Sequence, residues 1–429
     1  MVGFLIIILF TFLVGLSVPM SFCMLLASLI YILITKEVVP TFIPLAMTSG
    51  SSSILMLAVP FFMLVGELMN SAGITRRIFK FADALVGHIT GGLGHVNVVA
   101  SLIFSGISGS AVADAAGLGI IEIKTMTDAG YDADFSVGIT AASSIIGPIF
   151  PPSTPMVIFG IFAGVSVGSL FLGGAMVGIL MAVFMMIVVY IISKKKNYPR
   201  HSRVPLKVLW SSFKEAFWAL ISPIILVGGL VFGLATPTET SAIAVVYSLF
   251  LGFFIYKELT LKKIGGIFKN AIENIGMVML LIAAGTVFAW VLGIEKVADF
   301  FGVFLMGIQN KFIALLIITL FLLFIGTFME TTGALIITTP IVMPIILKLG
   351  IHPVQFGVAM VLTLMIGLLT PPMAICLLVT SKIGKISFDR AFRAVIPYYP
   401  ALLLVILLIY MFPALTLWLP KLFFGKLTL

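Results

Sequence analysis

The stretches IGPIFPP, residues 146–152, and IGLLTPP, residues 366–372, set the frame for reading the rest of the chain. Each opens on Ile-Gly and closes on a proline pair, and they lie 220 residues apart. The same offset joins Gly106 in SLIFSG to Gly326 in FLLFIG, and Gly73-Ile74 to Gly293-Ile294. Apolar chains match one another easily. Three motifs in one register, one of them carrying a proline pair in both copies, point to an internal duplication.

The chain around these motifs is built for lipid. Of 429 residues, 61% are hydrophobic and 10% are charged, with a mean hydropathy of +1.27. A soluble domain carries about a quarter charged residues. So little charge cannot cover a water-facing surface, and the succession of long apolar runs predicts an all-α polytopic membrane protein. The net charge of +9 sits in loops, where Lys and Arg mark the cytoplasmic side. Aromatic residues are not interleaved with the basic clusters, which argues against a nucleic-acid site. Cys23 and Cys376 lie in apolar segments without metal-ligand or disulfide spacing, so both read as packing residues. Gly91, Gly92 and Gly94 lack a βαβ setting and no Walker lysine motif is present, which removes a nucleotide-driven reading. No convincing nucleophile–base or metal set indicates an enzyme. Residues 1–34 read as one long hydrophobic stretch, kinked near Gly15 and Pro19, and as a membrane anchor rather than a removed signal.

One membrane domain, 1–429, is expected. Repeat one covers 53–161 with a hairpin at about 96–123, and repeat two covers 272–382 with a hairpin at about 310–349. Connecting and scaffold helices fill 162–271, and a C-terminal helix and tail fill 383–429. Residues 35–52 read as a mixed loop. The loops give the repeats opposite orientations. Arg76, Arg77 and Lys80 follow the first span, whereas the matching turn near 295–300 has only Lys296 beside Glu295 and Asp299. The turn at 162–173 has no charge, whereas its counterpart carries Lys382, Lys385, Arg390 and Arg393. Equivalent loops on opposite sides make inverted repeats, with three spans between them. The loop at 123–134 is net acidic and argues weakly the other way.

Each hairpin holds two apolar arms around a small or polar tip. The first arm, read as about 12 residues, rises about 18 Å, short of a hydrocarbon core of about 30 Å, which predicts a re-entrant hairpin. Tip one is Ser108-Gly109-Ser110 and tip two is Met329-Glu330-Thr331-Thr332. Each hairpin is followed by a broken span, at Gly147–Thr154 and at Gly367–Pro372. Proline lacks the amide and frees carbonyls at membrane depth. With nearby hydroxyls these form hard oxygen sites suited to a cation such as Na⁺, while half-helix N-termini present positive ends to a carboxylate. The plainer reading is that Gly and Pro only kink packed helices. The candidate ion-binding set is Ser108, Gly109, Ser110, Gly147, Pro151, Thr331, Thr332, Gly367, Thr370 and Pro371. Candidate substrate contacts are Ser153, Thr154, Glu330 and Pro372. Carboxylates inside apolar stretches mark function, so Asp114, one turn past tip one, is a candidate for a structural or coupling role. Glu67 and Asn70 read as snorkelling or capping residues, and Glu122 as a hairpin-base residue.

HVNVVASLIFSGISGSAVADAAGLGIIEI, residues 95–123, resembles the signature region of the large membrane subunit of TRAP transporters, the tripartite ATP-independent periplasmic importers. GYDADFSVGITAASSIIGPIFPPSTPMVIFG, residues 130–160, does so too, as do GTFMETTGALIITTPIVMPI and HPVQFGVAMVLTLMIGLLTPPMAICL in the second half. The likeness spans nearly the whole chain. It implies an elevator-type transport domain moving against a scaffold in a bacterial or archaeal inner membrane. It also implies a Na⁺ gradient as driving force, no cofactor, a separate small four-helix membrane subunit, and a soluble extracytoplasmic binding protein. That protein would deliver an organic acid such as a C4-dicarboxylate or a sialic acid. Many members have Asp followed by a Pro-containing tip in repeat two, where this chain has Glu330 and Thr332. The rival readings are a standalone secondary carboxylate or ion transporter of related inverted-repeat fold, and a non-transporting membrane scaffold.

Overall fold

The computed structural model describes residues 2–16, 18–36, 38–308 and 310–425; expectations that touch residues 1, 17, 37, 309 and 426–429 lie outside the described residues there. The described chain is all helical. The N-terminal part comprises α1 (Val2–Gly15), α2 (Met20–Thr35), α3 (Phe42–Ser51), α4 (Ala58–Ser71) and α5 (Ile74–Val86). Then come α6 (Gly92–Ser108), α7 (Ala111–Asp128), α8 (Ala133–Ser144), α9 (Thr154–Ala163) and α10 (Val167–Lys196). The middle holds α11 (Leu206–Val231), α12 (Pro237–Phe250), α13 (Leu261–Ile294) and α14 (Val297–Met306). The second half continues with α15 (Lys311–Phe328), α16 (Thr331–Lys348), α17 (Pro353–Gly367) and α18 (Ile375–Gly384), and ends in α19 (Phe388–Val395), α20 (Tyr399–Met411) and α21 (Ala414–Phe424). Eight of the described helices are long and apolar enough to cross a bilayer.

The duplication is visible in the element boundaries. Adding 220 to the bounds of α7 gives those of α16, Thr331–Lys348, and adding it to the end of α6 gives the end of α15. The register continues through α8 and α17, through α9 and α18, and on into α10 against α19 and α20. The repeated unit thus reaches past the expected end of repeat one at residue 161. Both proline pairs, Pro151-Pro152 and Pro371-Pro372, are joined by cis peptide bonds. The packing is reciprocal: α7 lies against α18, and α16 against α9.

Local chemistry explains the breaks. Gly109 has φ +58, a left-handed conformation that ends α6 and suits glycine. The Ser110 hydroxyl then accepts from the Ala113 amide at 3.4 Å and starts α7, as N-cap serines do. The two arms run antiparallel, because Asn97 on α6 donates to the Glu122 carboxylate on α7 at 2.8 Å. In the second half, 78% of α16 is buried against 33% of α15. One arm is therefore core and the other turns much of its apolar surface outward to lipid.

Four sequence expectations change. Residues 2–35 form two helices packed on each other, because Gly15 ends the first and Pro19 opens the second. The expected loop at 35–52 contains α3, whose Phe42 ring packs 4.4 Å from that of Trp290. A further helix, α21, follows Pro413. The hairpin arms are 17 and 18 residues in the first repeat and 18 and 18 in the second. A first arm of about 26 Å removes the argument from shortness. The sequence estimate stopped at the apolar run, while the helices continue to Gly92 and Asp128 through polar turns.

The acidic loop also finds its explanation. Asp132 pairs with Lys196, Asp134 with Arg390 at 2.8 Å, Asp83 with His201 at 2.9 Å, Lys80 with Glu215 at 2.8 Å and Arg77 with Glu258 at 2.8 Å. These links gather the basic loops and the acidic one onto a single face. Asp132 and Asp134 thus stand beside Lys and Arg rather than against the charge asymmetry.

Candidate functional site

The hairpin tips and the first break meet at a cavity of about 490 Å³. Tip one supplies Ser108, Gly109 and Ser110; tip two supplies Glu330, Thr331 and Thr332; the first break supplies Pro148 and Thr154, with Pro155 just beyond it, and the second break supplies Leu368. Its far wall comes from α4 and α13, with Glu67, Asn70 and Asn274. None of the described lining residues is Lys, Arg or His.

Backbone approaches hold the tips to the breaks. A Cβ at Gly109 would stand 2.6 Å from the Pro152 carbonyl oxygen and 3.4 Å from the Ser153 Cα. A Cβ at Gly147 would stand 3.4 Å from the Ser110 carbonyl carbon and oxygen. In the second repeat, a Cβ at Gly367 would overlap the Gly326 backbone. Tip one therefore lies on break one through main chain alone, and in repeat two the end of the first hairpin arm meets the break in the same way. Ser153 closes break one: its hydroxyl donates to the Pro148 carbonyl and accepts from the Met156 amide at 3.2 Å, starting α9. In break two the Met373 amide donates to the Thr327 carbonyl at 3.1 Å, and the Thr370 hydroxyl donates to the Ile366 carbonyl at 2.9 Å.

Three helix N-termini, those of α7, α9 and α16, face the cavity. Each concentrates partial positive charge and free amides. That of α16 is already matched by an anion. The Glu330 carboxylate accepts from the Thr332 amide at 2.8 Å, the Thr332 hydroxyl at 3.1 Å and the Gly333 amide at 3.3 Å. The N-termini of α7 and α9 carry neutral serine caps, and the first turn of α7 also holds the buried Asp114, whereas that of α9 holds no carboxylate. The Ser108 hydroxyl is 6% exposed and has no hydrogen-bond partner among the described residues.

Of the candidate ion and substrate residues named from sequence, Ser108, Gly109, Ser110, Thr154, Glu330, Thr331 and Thr332 line this cavity, and Gly147, Pro151, Ser153, Gly367, Thr370, Pro371 and Pro372, in the breaks, are not among its lining. Asp114 is also outside the lining, 1% exposed and beside Ser101, with neither carboxylate oxygen completing a hydrogen bond among the described residues. Deeper still, Asn97 bridges Glu122 and the Thr140 hydroxyl at 2.7 Å, and accepts from Ser143 at 2.7 Å. Sequence reading assigned no cavity role to Glu67, Asn70 or Asn274. Their signal was polarity inside an apolar span, with Glu67 and Asn70 three residues apart on one helical face.

A family model described as "Tripartite ATP-independent periplasmic transporter, DctM component" matches residues 6–415. Among similar proteins, the sialic acid TRAP transporter large permease protein SiaM of Vibrio cholerae is 45% identical over 410 residues, covering 95% of this chain and 96% of the relative. The C4-dicarboxylate TRAP transporter large permease protein DctM of Pseudomonas aeruginosa is 36% identical over 367 residues, covering 85% and 86%. The sialic acid TRAP transporter permease protein SiaT of Haemophilus influenzae is 41% identical over 407 residues, 95% of this chain but 66% of the longer relative. Among solved structures, the YdaH transporter of Alcanivorax borkumensis superposes with a TM-score of 0.61 over 87% of each chain at 13% identity, a likeness of fold. A family match over nearly the whole length, joined to inverted repeats whose tips enclose one cavity, places the chain among the large permease (DctM) components of the TRAP transporters.

Proposed function

We propose that this permease imports a hydroxylated organic acid, of the sialic acid kind, using a Na⁺ gradient. The acid would be handed over by an extracytoplasmic binding protein, with a small membrane subunit bound alongside. The observation that carries the reading is the convergence of three helix N-termini on one cavity without a basic side chain. Glu330 caps the N-terminus of α16 and Asp114 lies in the first turn of α7, which directs a substrate carboxylate foremost to α9, whose first turn holds no carboxylate. Asn70, Asn274, Thr331 and Thr332 offer donors and acceptors for hydroxyl or amide groups. A volume of about 490 Å³ leaves room for an acid larger than a four-carbon one.

Na⁺ would be held by tip hydroxyls, with Ser108 foremost, and by carbonyls of the breaks. Bound beside the substrate anion, it raises substrate affinity, and the substrate raises Na⁺ affinity by the same factor. Tips and breaks then move as one body against α4 and α13, an elevator step that carries the cavity across. Uptake in proteoliposomes with both partners and an imposed Na⁺ gradient tests this, comparing a sialic acid with a C4-dicarboxylate. Uptake that ignores the Na⁺ gradient would remove the coupling. Equal uptake without either partner would favour the standalone reading.

A further inference from the structure

The two breaks share a backbone but not their surroundings. In a continuous helix the Leu369 carbonyl would accept from the Met373 amide, four residues on. That amide is turned away to the Thr327 carbonyl at the end of α15, at 3.1 Å. The vacated carbonyl is taken by a side chain from another element. The Tyr399 hydroxyl, at the start of α20, donates to Leu369 at 2.7 Å and lies 3.0 Å from the Thr370 hydroxyl. The single phenol proton goes to the carbonyl, and the Thr370 hydroxyl, within reach of both the Ile366 carbonyl and the Tyr399 oxygen, can donate to either, so one phenol stands against two neighbouring oxygens of break two.

In repeat one the Ser153 hydroxyl, from within the break, donates to the Pro148 carbonyl, but among the described residues no side chain from another element reaches the carbonyls of break one. Ile149 and Phe150 stand where Leu369 and Thr370 stand, and α10 covers them with glycines. A Cβ at Gly178 would lie 2.9 Å from the Phe150 Cβ, and one at Gly174 would strike the Ile149 carbonyl oxygen. Neither glycine carries a donor. An orphaned carbonyl away from water needs a partner, and in repeat two that partner is a removable hydroxyl.

We propose that Tyr399 is a latch on break two. Its hydroxyl occupies the Leu369 carbonyl and the Thr370 hydroxyl while no cation is bound, and it withdraws when Na⁺ takes those two oxygens. In break one the Ser153 hydroxyl is held at the Pro148 carbonyl, and among the described residues no hydroxyl competes at the equivalent Ile149 carbonyl. The two ion positions therefore have unequal affinities, with the one in repeat two weakened by the tyrosine. Tyr399 acts through oxygens that would touch the ion, so it is a positioning residue. The inference rests on the Na⁺-coupled reading given above.

Tyr399→Phe keeps the ring and its packing and removes only the hydroxyl. The assay is Na⁺-dependent uptake in proteoliposomes with both partners, paired with the Na⁺-dependent rise in melting temperature of the purified full chain. The latch predicts that Tyr399→Phe lowers the Na⁺ concentration for half-maximal effect roughly fivefold, the scale of one hydrogen bond. At saturating Na⁺ the KM for substrate stays at the parental value. A half-maximal Na⁺ concentration that is unchanged or higher in a variant that folds in parental yield overturns the latch. A variant that melts far below the parent at every Na⁺ concentration makes the tyrosine a packing residue and also overturns it. A parental chain that shows no Na⁺ response in either readout defeats the coupling reading itself, and the latch with it.

Discussion

Replacing Gly109 by alanine tests whether tip one must lie on break one. Two effects act at this position. The backbone has φ +58, and holding an L-residue there costs about 1–2 kcal/mol. The new methyl would also stand 2.6 Å from the Pro152 carbonyl oxygen, a main-chain atom that cannot rotate aside; overpacking of this kind costs about 1–3 kcal/mol more. Gly130→Ala separates the two, because Gly130 has φ +86 and nothing within 4 Å of an added Cβ. Gly130→Ala should therefore lose about 1–2 kcal/mol of stability and keep parental uptake per folded molecule. Gly109→Ala should lose more stability. Its uptake should also fall by roughly five- to a hundredfold, if the overlap falls wholly on the state in which tip and break touch. Detergent melting curves and initial uptake rates, normalised to folded protein, give both numbers. Equal losses at the two glycines, in stability and in uptake, would show that the tip–break approach plays no part in transport.

Topology, ion dependence and surface electrostatics give three further tests. Single cysteines at Lys195, Lys262 and Lys385, in a background without Cys23 and Cys376, should resist a membrane-impermeant reagent added outside, while one at Gly350 should react; strong external labelling at all three lysine positions would reverse the orientation. Ser110→Ala removes an oxygen at tip one and a helix cap, so it should raise the Na⁺ concentration needed for uptake and lower stability by about 1 kcal/mol; a well-folded variant with parental Na⁺ dependence shifts the ion ligands to Ser108 and the carbonyls. The Asp132 carboxyl is held below the usual carboxylate range by hydrogen bonds from Lys196 and Tyr198, so its stabilisation is complete above about pH 4, the unfolded value, and is lost as pH falls through the lower folded one. The stability gap between the parent and Tyr198→Phe should accordingly narrow on acidification, and a gap that widens would contradict that sign.

Much of the architecture could be read from residues because membrane depth makes each exception expensive. The 220-residue register, the tips at Ser108–Ser110 and Met329–Thr332, and the breaks at the proline pairs all show as polar, glycine or proline residues inside apolar runs. What stayed hidden depends on partners distant in sequence. Asp132 and Asp134 looked misplaced until Lys196 and Arg390 stood beside them. Glu330 stands in the sequence as a candidate ion or substrate contact, and that its carboxylate also caps its own helix shows only once Thr332 and Gly333 are in place. Thr370 looked like an ion ligand, and whether a hydroxyl elsewhere already holds it cannot be seen without Tyr399 in place. Helix ends were misjudged where apolar character faded before the helix did, at Gly92 and Asp128.

The closely matched arms of the two hairpins, 17 and 18 residues against 18 and 18, have a consequence in helical phase. Each residue of a helix turns its end by about 100° and carries it about 1.5 Å onward. Arm length therefore fixes the bearing at which a tip arrives as well as the depth it reaches. One residue added to α6 would leave the base of the hairpin where it is and swing Gly109 out of line with Pro152, with every side chain unchanged. A residue added between Asn197 and Pro205, outside any helix, turns nothing. Between the end of the first arm and the proline pair the chain works as a ruler, and the spacing from Ser108 to Pro151 recurs unchanged from Phe328 to Pro371.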